Sequence, residues 1–129
     1  MRKKILIVSA IYYKDIAKSL KTSAYKRLLI TKYKVDEVVV PGVFEIPVII
    51  AKYIKRYDGF LALGCVIKGE TPHFNFISQS TIDAIMKLSI ESKKPIGNGI
   101  ITCLNMKQAL ARKNKGDEAA RAVLSVLKV

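Results

Sequence analysis

Cysteine is scarce in this sequence: only Cys65 and Cys103 occur among 129 residues. Two cysteines cannot form the several disulfides of a small secreted scaffold, and neither lies in a CxxC or Cys/His spacing typical of a metal site. Each lies inside an apolar stretch typical of a buried strand, where a thiol packs as a small hydrophobic group. We therefore expect two core thiols in a reducing compartment, the cytoplasm, and no metal. A catalytic role for either thiol is the less favoured alternative.

Long apolar runs are also absent. None reaches the roughly 18 to 20 residues that cross a bilayer, so we expect no membrane helix, although 50% of the residues are hydrophobic. The charged residues 2–4 precede an apolar stretch that is too short for a signal peptide and is typical of a first β-strand. No linker, repeat or low-complexity segment interrupts the chain, and we expect one domain over residues 1–129.

Acidic residues are few: 10 Asp and Glu stand against 23 Lys and Arg, which gives a formal net charge of +13. Such an excess can form an electrostatic footprint for nucleic acid. The basic residues are scattered, however, most are lysines, and no helix-turn-helix, RNP or zinc pattern accompanies them. We expect a solvated, lysine-rich surface and no nucleic-acid partner. The alternative, a basic nucleic-acid-binding module, predicts steeply salt-dependent binding of DNA or RNA.

What the chain does contain is an alternation of short apolar runs with longer segments of helical period. The apolar runs are typical of parallel strands covered on both faces, and they predict strands at residues 4–9, 37–40, 60–67 and 96–102. Helices are predicted at residues 15–29, 45–57, 71 or 72 to 92, 106–112 and 117–127. This order predicts an α/β fold: a flavodoxin-like, three-layer αβα sandwich with a four-stranded parallel sheet and helices on both faces.

The junction after the second predicted strand is a first candidate site. Ligands of open parallel sheets bind beyond the carboxyl ends of the strands, so the residues that follow each strand are candidates for ligand binding. Here Pro41-Gly42 passes directly into a helix that begins with Val43, Phe44 and Glu45. An equally good interpretation is a tight turn with Phe44 in the core and Glu45 as a partner of the helix dipole.

The junction after the third strand carries the chain's one histidine, His73. Helix N-termini present free backbone N–H groups, so Gly69, Glu70 and Thr71 could cradle a phosphate there. Histidine exchanges protons near neutral pH, which makes His73 a candidate acid and base beside that phosphate. A purely structural histidine is the alternative. A third stretch, the basic turn 112–116, suits an anion but also a solvated helix end.

Together the three stretches resemble the lumazine synthase family. The chain has Pro-Gly-Val-Phe-Glu-Ile-Pro at 41–47 and Gly-Cys-Val-Ile-Lys-Gly-Glu-Thr-Pro-His-Phe at 64–74. It then has Gln-Ala-Leu-Ala-Arg at 108–112 and Asn-Lys-Gly-Asp-Glu-Ala-Ala at 114–120. The conjunction in this order is far more specific than any single piece, and the resemblance covers nearly the whole chain from residue 5 onward.

The resemblance implies the condensation of 5-amino-6-(D-ribitylamino)uracil with 3,4-dihydroxy-2-butanone 4-phosphate to 6,7-dimethyl-8-ribityllumazine, in riboflavin biosynthesis. The reaction passes through a Schiff base, loss of inorganic phosphate, ring closure and dehydration, and needs no metal or organic cofactor. The family forms pentamers, some of which assemble into icosahedral shells, with active sites at subunit interfaces. We therefore expect small-molecule substrates and a homo-oligomer of this kind.

The resemblance also assigns residues by their position in the motifs. Those implied to bind the pyrimidine substrate are Tyr12, Val43, Phe44, Glu45, Cys65, Val66 and Ile67. Those implied to bind the butanone phosphate are Glu70, Thr71, Asn98, Arg112 and Lys115, with Asn98 and Arg112 supplied by a neighbouring subunit. His73 resembles the general acid and base of the family.

Four departures from the family pattern accompany this resemblance, and one is the Glu70 carboxylate beside the proposed phosphate site. Tyr12-Tyr13 stands where Phe-Asn is usual, which keeps an aromatic ring but loses an amide. Asn98 stands where a Phe is common, so that wall of the pocket is more polar, and the segment between Arg112 and Asn114 is several residues shorter. A relative that binds riboflavin-like ligands without catalysis is therefore one alternative. A flavodoxin-like flavin or nucleotide binder is another, although the chain lacks GxGxxG and P-loop patterns.

Overall fold

In the described part of the chain, four strands alternate with helices, and two consecutive helices follow the last strand. A computed structural model describes residues 2–70 and 73–129. The strands are β1 (Lys4–Ala10), β2 (Lys34–Val40), β3 (Gly59–Ile67) and β4 (Ile96–Cys103). The helices are α1 (Lys14–Leu29), α2 (Ile46–Tyr53), α3 (Phe74–Ser92), α4 (Met106–Ala111) and α5 (Lys115–Leu127), and a 3₁₀ turn at Val43–Glu45 precedes α2.

The four strands form one parallel sheet in the order β2-β1-β3-β4. Alternate residues of β1 point to opposite faces, as the period of two in a strand requires. Ile5 and Ile7 belong to the core under α1 and α5, whereas Leu6 and Val8 belong to the core under α2 and α3. The predicted flavodoxin-like αβα sandwich with a parallel four-stranded sheet is confirmed. In the part of the chain that the structure describes, no helix is long and apolar enough to cross a membrane.

The central strand β3 has both neighbours in the sheet and helices on both faces. All nine of its residues are buried, which explains why its sequence is a continuous apolar run. Cys65 on β3 and Cys103 on β4 are both buried free thiols, as predicted for core cysteines.

Among the strands, the edge strand β2 differs most from its predicted bounds. It begins at Lys34, three residues before the predicted start. Because β2 pairs with β1 on one side only, it tolerates polar residues such as Lys34 and Asp36, which interrupt the apolar pattern by which a strand is predicted. Its residues 34–39 are exposed or half-buried, and the prediction detected only the apolar end of the strand.

Helix α2 ends at Tyr53, four residues before its predicted end, and two helix starts differ from the prediction by two residues or more. Helix α3 begins at Phe74, because the preceding His73 has a left-handed backbone (φ +56°) that cannot continue a helix. The predicted start at residue 71 or 72 lies outside the described residues. Helix α5 begins at Lys115, two residues early, because the Asp117 amide donates to the carbonyl of Asn114 and closes the first turn.

Candidate active site

The sheet reverses its winding direction between β1 and β3, where an open α/β sheet forms a crevice at its carboxyl edge. β3 also runs further than β1. Its register with β1 ends at Leu63, whereas its register with β4 continues to Ile67. Among the described residues, no strand pairs with residues 64–66 on the β1 side. The backbone edge of this segment therefore faces the crevice.

The turn after β2 approaches this segment closely. The Gly42 amide donates to Oε1 of Glu45 over 3.0 Å, which folds the turn back on itself. Val43 is buried and packs against Gly64, where a Cβ atom would lie 2.6 Å from Val43 Cγ1. Phe44 remains 61% exposed, so the alternative that placed its ring in the core is wrong.

The segment after β1 adds an aromatic ring to the crevice. The Ile11 amide donates to the carbonyl of Val40 over 3.0 Å, which ties this segment to the end of β2. Tyr12 is 67% exposed, and its ring meets that of the half-buried Tyr13 edge-on, with centroids 5.0 Å apart. The inner tyrosine thus supports an outer ring that is free to stack on a planar ligand.

His73, just before α3, is the fourth part of the chain that borders the crevice. It is exposed and precedes α3 with φ +56°, and its carbonyl accepts from the Ile77 amide over 2.9 Å. Positive φ values are uncommon outside glycine and cluster at functional sites. The turn before it contains Gly69, with φ +85°, and Glu70, whose amide donates to the carbonyl of Ile67 over 3.2 Å.

These segments enclose a first cleft of about 310 Å³. Its lining contains seven of the predicted site residues, drawn from four separate segments of the chain: Tyr12, Val43, Phe44, Glu45, Cys65, Val66 and His73. Gly42 and Ile77 also line it and were not predicted. The position of Ile77, one helical turn after His73, was the signal that could have found it.

Among the described residues of the second motif, Ile67 and Glu70 were predicted to bind substrate but do not line the first cleft. Ile67 is fully buried, and Glu70 is exposed in the turn before α3. Thr71 lies outside the described residues.

A second cleft of about 490 Å³ contains the other predicted residues, Asn98, Arg112 and Lys115. It lies on the far side of β4, against α4 and α5, and shares no lining residue with the first cleft. An Arg112 guanidinium nitrogen donates to the Thr102 carbonyl over 3.1 Å. The nearest carboxylate contact of Lys115 is long, 3.9 Å to Glu118. The cleft therefore presents two cations that an anion could engage.

Burial governs the protonation of the one thiol in the first cleft. Removal from water raises the pKa of Cys65 to about 12, with smaller contributions from the neighbouring Cys103 thiol and the Glu70 carboxylate. A thiol is nucleophilic only as its thiolate. Near neutral pH Cys65 is therefore a protonated wall of the cleft and not a nucleophile.

Comparison with known proteins relates the whole chain to one family. The family model described as 6,7-dimethyl-8-ribityllumazine synthase matches residues 2–129. The 6,7-dimethyl-8-ribityllumazine synthase 1 of Rhodopseudomonas palustris is 42% identical over 138 residues, covering 98% of this chain and 85% of that protein. The 6,7-dimethyl-8-ribityllumazine synthases of Bartonella henselae and Bartonella bacilliformis are 45% and 43% identical, each covering 95% of this chain and 85% and 87% of the relative.

Proposed function

Because the chain belongs to the 6,7-dimethyl-8-ribityllumazine synthase family, we propose that its two clefts divide the two substrates between them. The protein is a transferase of riboflavin biosynthesis. It condenses 5-amino-6-(D-ribitylamino)uracil with 3,4-dihydroxy-2-butanone 4-phosphate, and the products are 6,7-dimethyl-8-ribityllumazine, phosphate and water. The roles of individual residues follow from the shape and chemistry of each cleft.

The first cleft binds the pyrimidine substrate. The convergence of seven motif residues on this one cleft is the observation that carries the proposal. Tyr12 stacks on the pyrimidine ring, and the edge of β3 at Cys65 and Val66 offers backbone polar groups to that ring. Phe44 and its neighbours Val43 and Glu45 hold the ribityl side. Glu45 does so with a carboxylate already anchored on the Gly42 amide, so it is preorganised.

His73 transfers protons in this cleft. Schiff-base formation, loss of phosphate and dehydration each move a proton, and an imidazole performs such transfers in both directions near neutral pH. His73 lines the pyrimidine cleft and follows the turn that holds Glu70. It is thus close to both substrates if Glu70 and Thr71 approach the butanone phosphate. No metal or organic cofactor is required in this scheme.

The second cleft supplies the remaining phosphate ligands to a neighbouring subunit. Arg112 and Lys115 provide the cations, and Asn98 forms a polar wall. Within one chain these residues line a different cleft from His73, so a complete site needs the second cleft of one subunit to face the first cleft of the next. This separation supports a homo-oligomer, a pentamer or an icosahedral assembly of pentamers.

Exposed apolar side chains on α3 support the same assembly. Phe76, Met86 and Ile90 are 75%, 58% and 67% exposed, and their spacing places them on one side of the helix. Such a stripe is costly in water and is covered when subunits associate. We place this assembly in the cytoplasm, where two free thiols stay reduced, and we expect neither a nucleic-acid nor a membrane partner.

Lumazine formation, followed by absorbance from the two substrates, tests the function. His73→Asn keeps a residue that tolerates positive φ but cannot transfer protons, and it should lower kcat by roughly a hundredfold or more. Gln79→Ala, exposed on the same helix, is the control. Wild-type turnover no faster than the spontaneous condensation, from folded oligomeric protein, would instead favour a relative that binds ligands without catalysis.

Mixing two inactive variants tests the shared site in the same assay. Arg112→Ala retains His73, and His73→Asn retains Arg112. When equal amounts are unfolded and refolded together, a random ring should regain about a quarter of the wild-type sites, because two independent halves must both be intact at an interface. Recovery of no activity from well-formed mixed oligomers would place both residues in the same subunit's site.

A further inference from the structure

Gln108 opens the third sequence motif, yet it lines neither the first nor the second cleft. We propose that Gln108 is a positioning residue that caps α4 and thereby holds Arg112 at the second cleft. This inference rests on the proposed phosphate-binding role of Arg112. It assigns the glutamine a function that acts through the arginine and involves no contact with substrate.

Helix α4 is too short to be stable without help. It has six residues, fewer than two turns, and helices of this length do not persist in water on propensity alone. Its first turn is held by two reciprocal hydrogen bonds. The Gln108 amide donates to Oδ1 of Asn105 over 2.9 Å, and Oε1 of Gln108 accepts from the Leu104 amide over 2.8 Å. In a standard capping box the Gln108 side chain would accept from the amide of the N-cap residue, Asn105. Here it accepts from the amide one residue earlier, that of Leu104.

The cap also fixes α4 to the end of β4. Leu104 is the first residue after β4, so its bond to Gln108 sets the angle at which the chain turns into the helix. At the opposite end, the Arg112 amide donates to the Ala109 carbonyl over 3.1 Å. The Arg112 side chain then returns to β4 through its bond to the Thr102 carbonyl.

Between these two ends, Ala109 is the one residue of α4 that is fully buried. The buried Ala109 methyl group fixes how deeply α4 sits against the core, but it does little to stop the helix from rotating about its axis or fraying at its ends. The polar cap at Asn105 and Gln108 therefore decides where the last turn, and with it Arg112, comes to rest. Loss of the cap leaves the guanidinium on a frayed end.

Kinetics for each substrate separately provide the test. Gln108→Met keeps the shape of the side chain without the acceptor, and Asn105→Ala removes the other half of the cap. Each should lower kcat/KM for the butanone phosphate about fivefold, because a helix cap contributes about 1 kcal/mol and that free energy corresponds to a factor of about five. The KM of the pyrimidine should change less than twofold. Asn105→Ser restores an acceptor and should restore the rate, and Leu110→Met, exposed on the same helix, is the control.

A double mutant separates positioning from general destabilisation. If Gln108 acts through Arg112, adding Gln108→Met to Arg112→Ala should cost nothing further. An equal loss for both substrates, or a full additional loss in the double mutant, would overturn the proposal.

Calorimetric titration with inorganic phosphate gives a readout that needs no turnover. Gln108→Met should weaken phosphate binding about as much as it lowers kcat/KM, and unchanged binding would overturn the positioning role. Wild-type protein that binds phosphate at Arg112 but does not form lumazine would overturn the proposed reaction alone.

Discussion

Gly116→Ala is expected to destabilise the protein, although alanine is the better helix former. In an exposed helix interior this change stabilises by roughly 0.5 to 1 kcal/mol. Here Gly116 lies in the first turn of α5 and is buried against α1. A Cβ atom would overlap the carbonyl oxygen of Leu20 and lie 2.6 Å from Oγ of Ser23. A backbone carbonyl cannot rotate away, so α5 must move.

The size of the effect follows from two opposing terms. Overpacking a tight contact costs typically 1 to 3 kcal/mol and sometimes more, which exceeds the gain in helix propensity. The net loss should be about 1 to 2 kcal/mol, or a fall in Tm of about 4 to 7 °C for a chain of this length. The displacement should also move Lys115 and weaken binding of the butanone phosphate.

Urea unfolding followed by circular dichroism measures this change. Association would make the measured stability depend on protein concentration, so wild type and variants are compared at the same concentration. Ser125→Ala, exposed on the same helix, is the control and should stay within about 0.5 kcal/mol of wild type. Gly116→Ala protein as stable as wild type, or more stable, would refute the close contact between α5 and α1.

Two further predictions concern titrating groups. Burial and a 2.7 Å hydrogen bond to Asp36 raise the pKa of Tyr57 from 10.0 to about 12; the resulting stability is present below pH 10 and is lost as the pH rises through 12. Between pH 10 and 12 the free energy of unfolding should therefore fall less steeply in Tyr57→Phe than in the wild type, because phenylalanine has no proton to lose; identical pH profiles would contradict the assignment. Because the pKa of Cys65 is about 12, the folded protein should resist alkylation at pH 8, whereas urea-unfolded protein should react at both cysteines; rapid labelling of Cys65 before unfolding would contradict its burial.

The order of strands and helices was predictable because each element carries its own periodicity. The apolar run of β3 indicates a strand buried on both faces, and the apolar run of β4 indicates a further strand of the sheet. The early start of β2 and the late start of α3 were not predictable in this way. An edge strand is defined by hydrogen bonds to its neighbour, and α3 begins where the backbone of His73 adopts positive φ.

The candidate site was predictable in part for a related reason. Residues that follow parallel strands must meet at one edge of the sheet, so the motifs after the second and third strands indicated the first cleft. Sequence spacing gave no sign that Arg112 and Lys115 line a separate cleft, since that depends on the position of β4 at the far edge of the sheet.

Local pattern thus accounts for which segments become strands and helices, for the burial of both cysteines and for the gathering of the motifs at one edge. Contacts between distant segments account for the rest. Gly64 matters because the Val43 turn packs on it, and Gly116 matters because α5 meets the backbone of α1 there. Gln108 matters because the end of β4 presents an amide to it. These roles depend on distances between different segments of the folded chain. The spacing of hydrophobic residues within one segment carries no information about such distances.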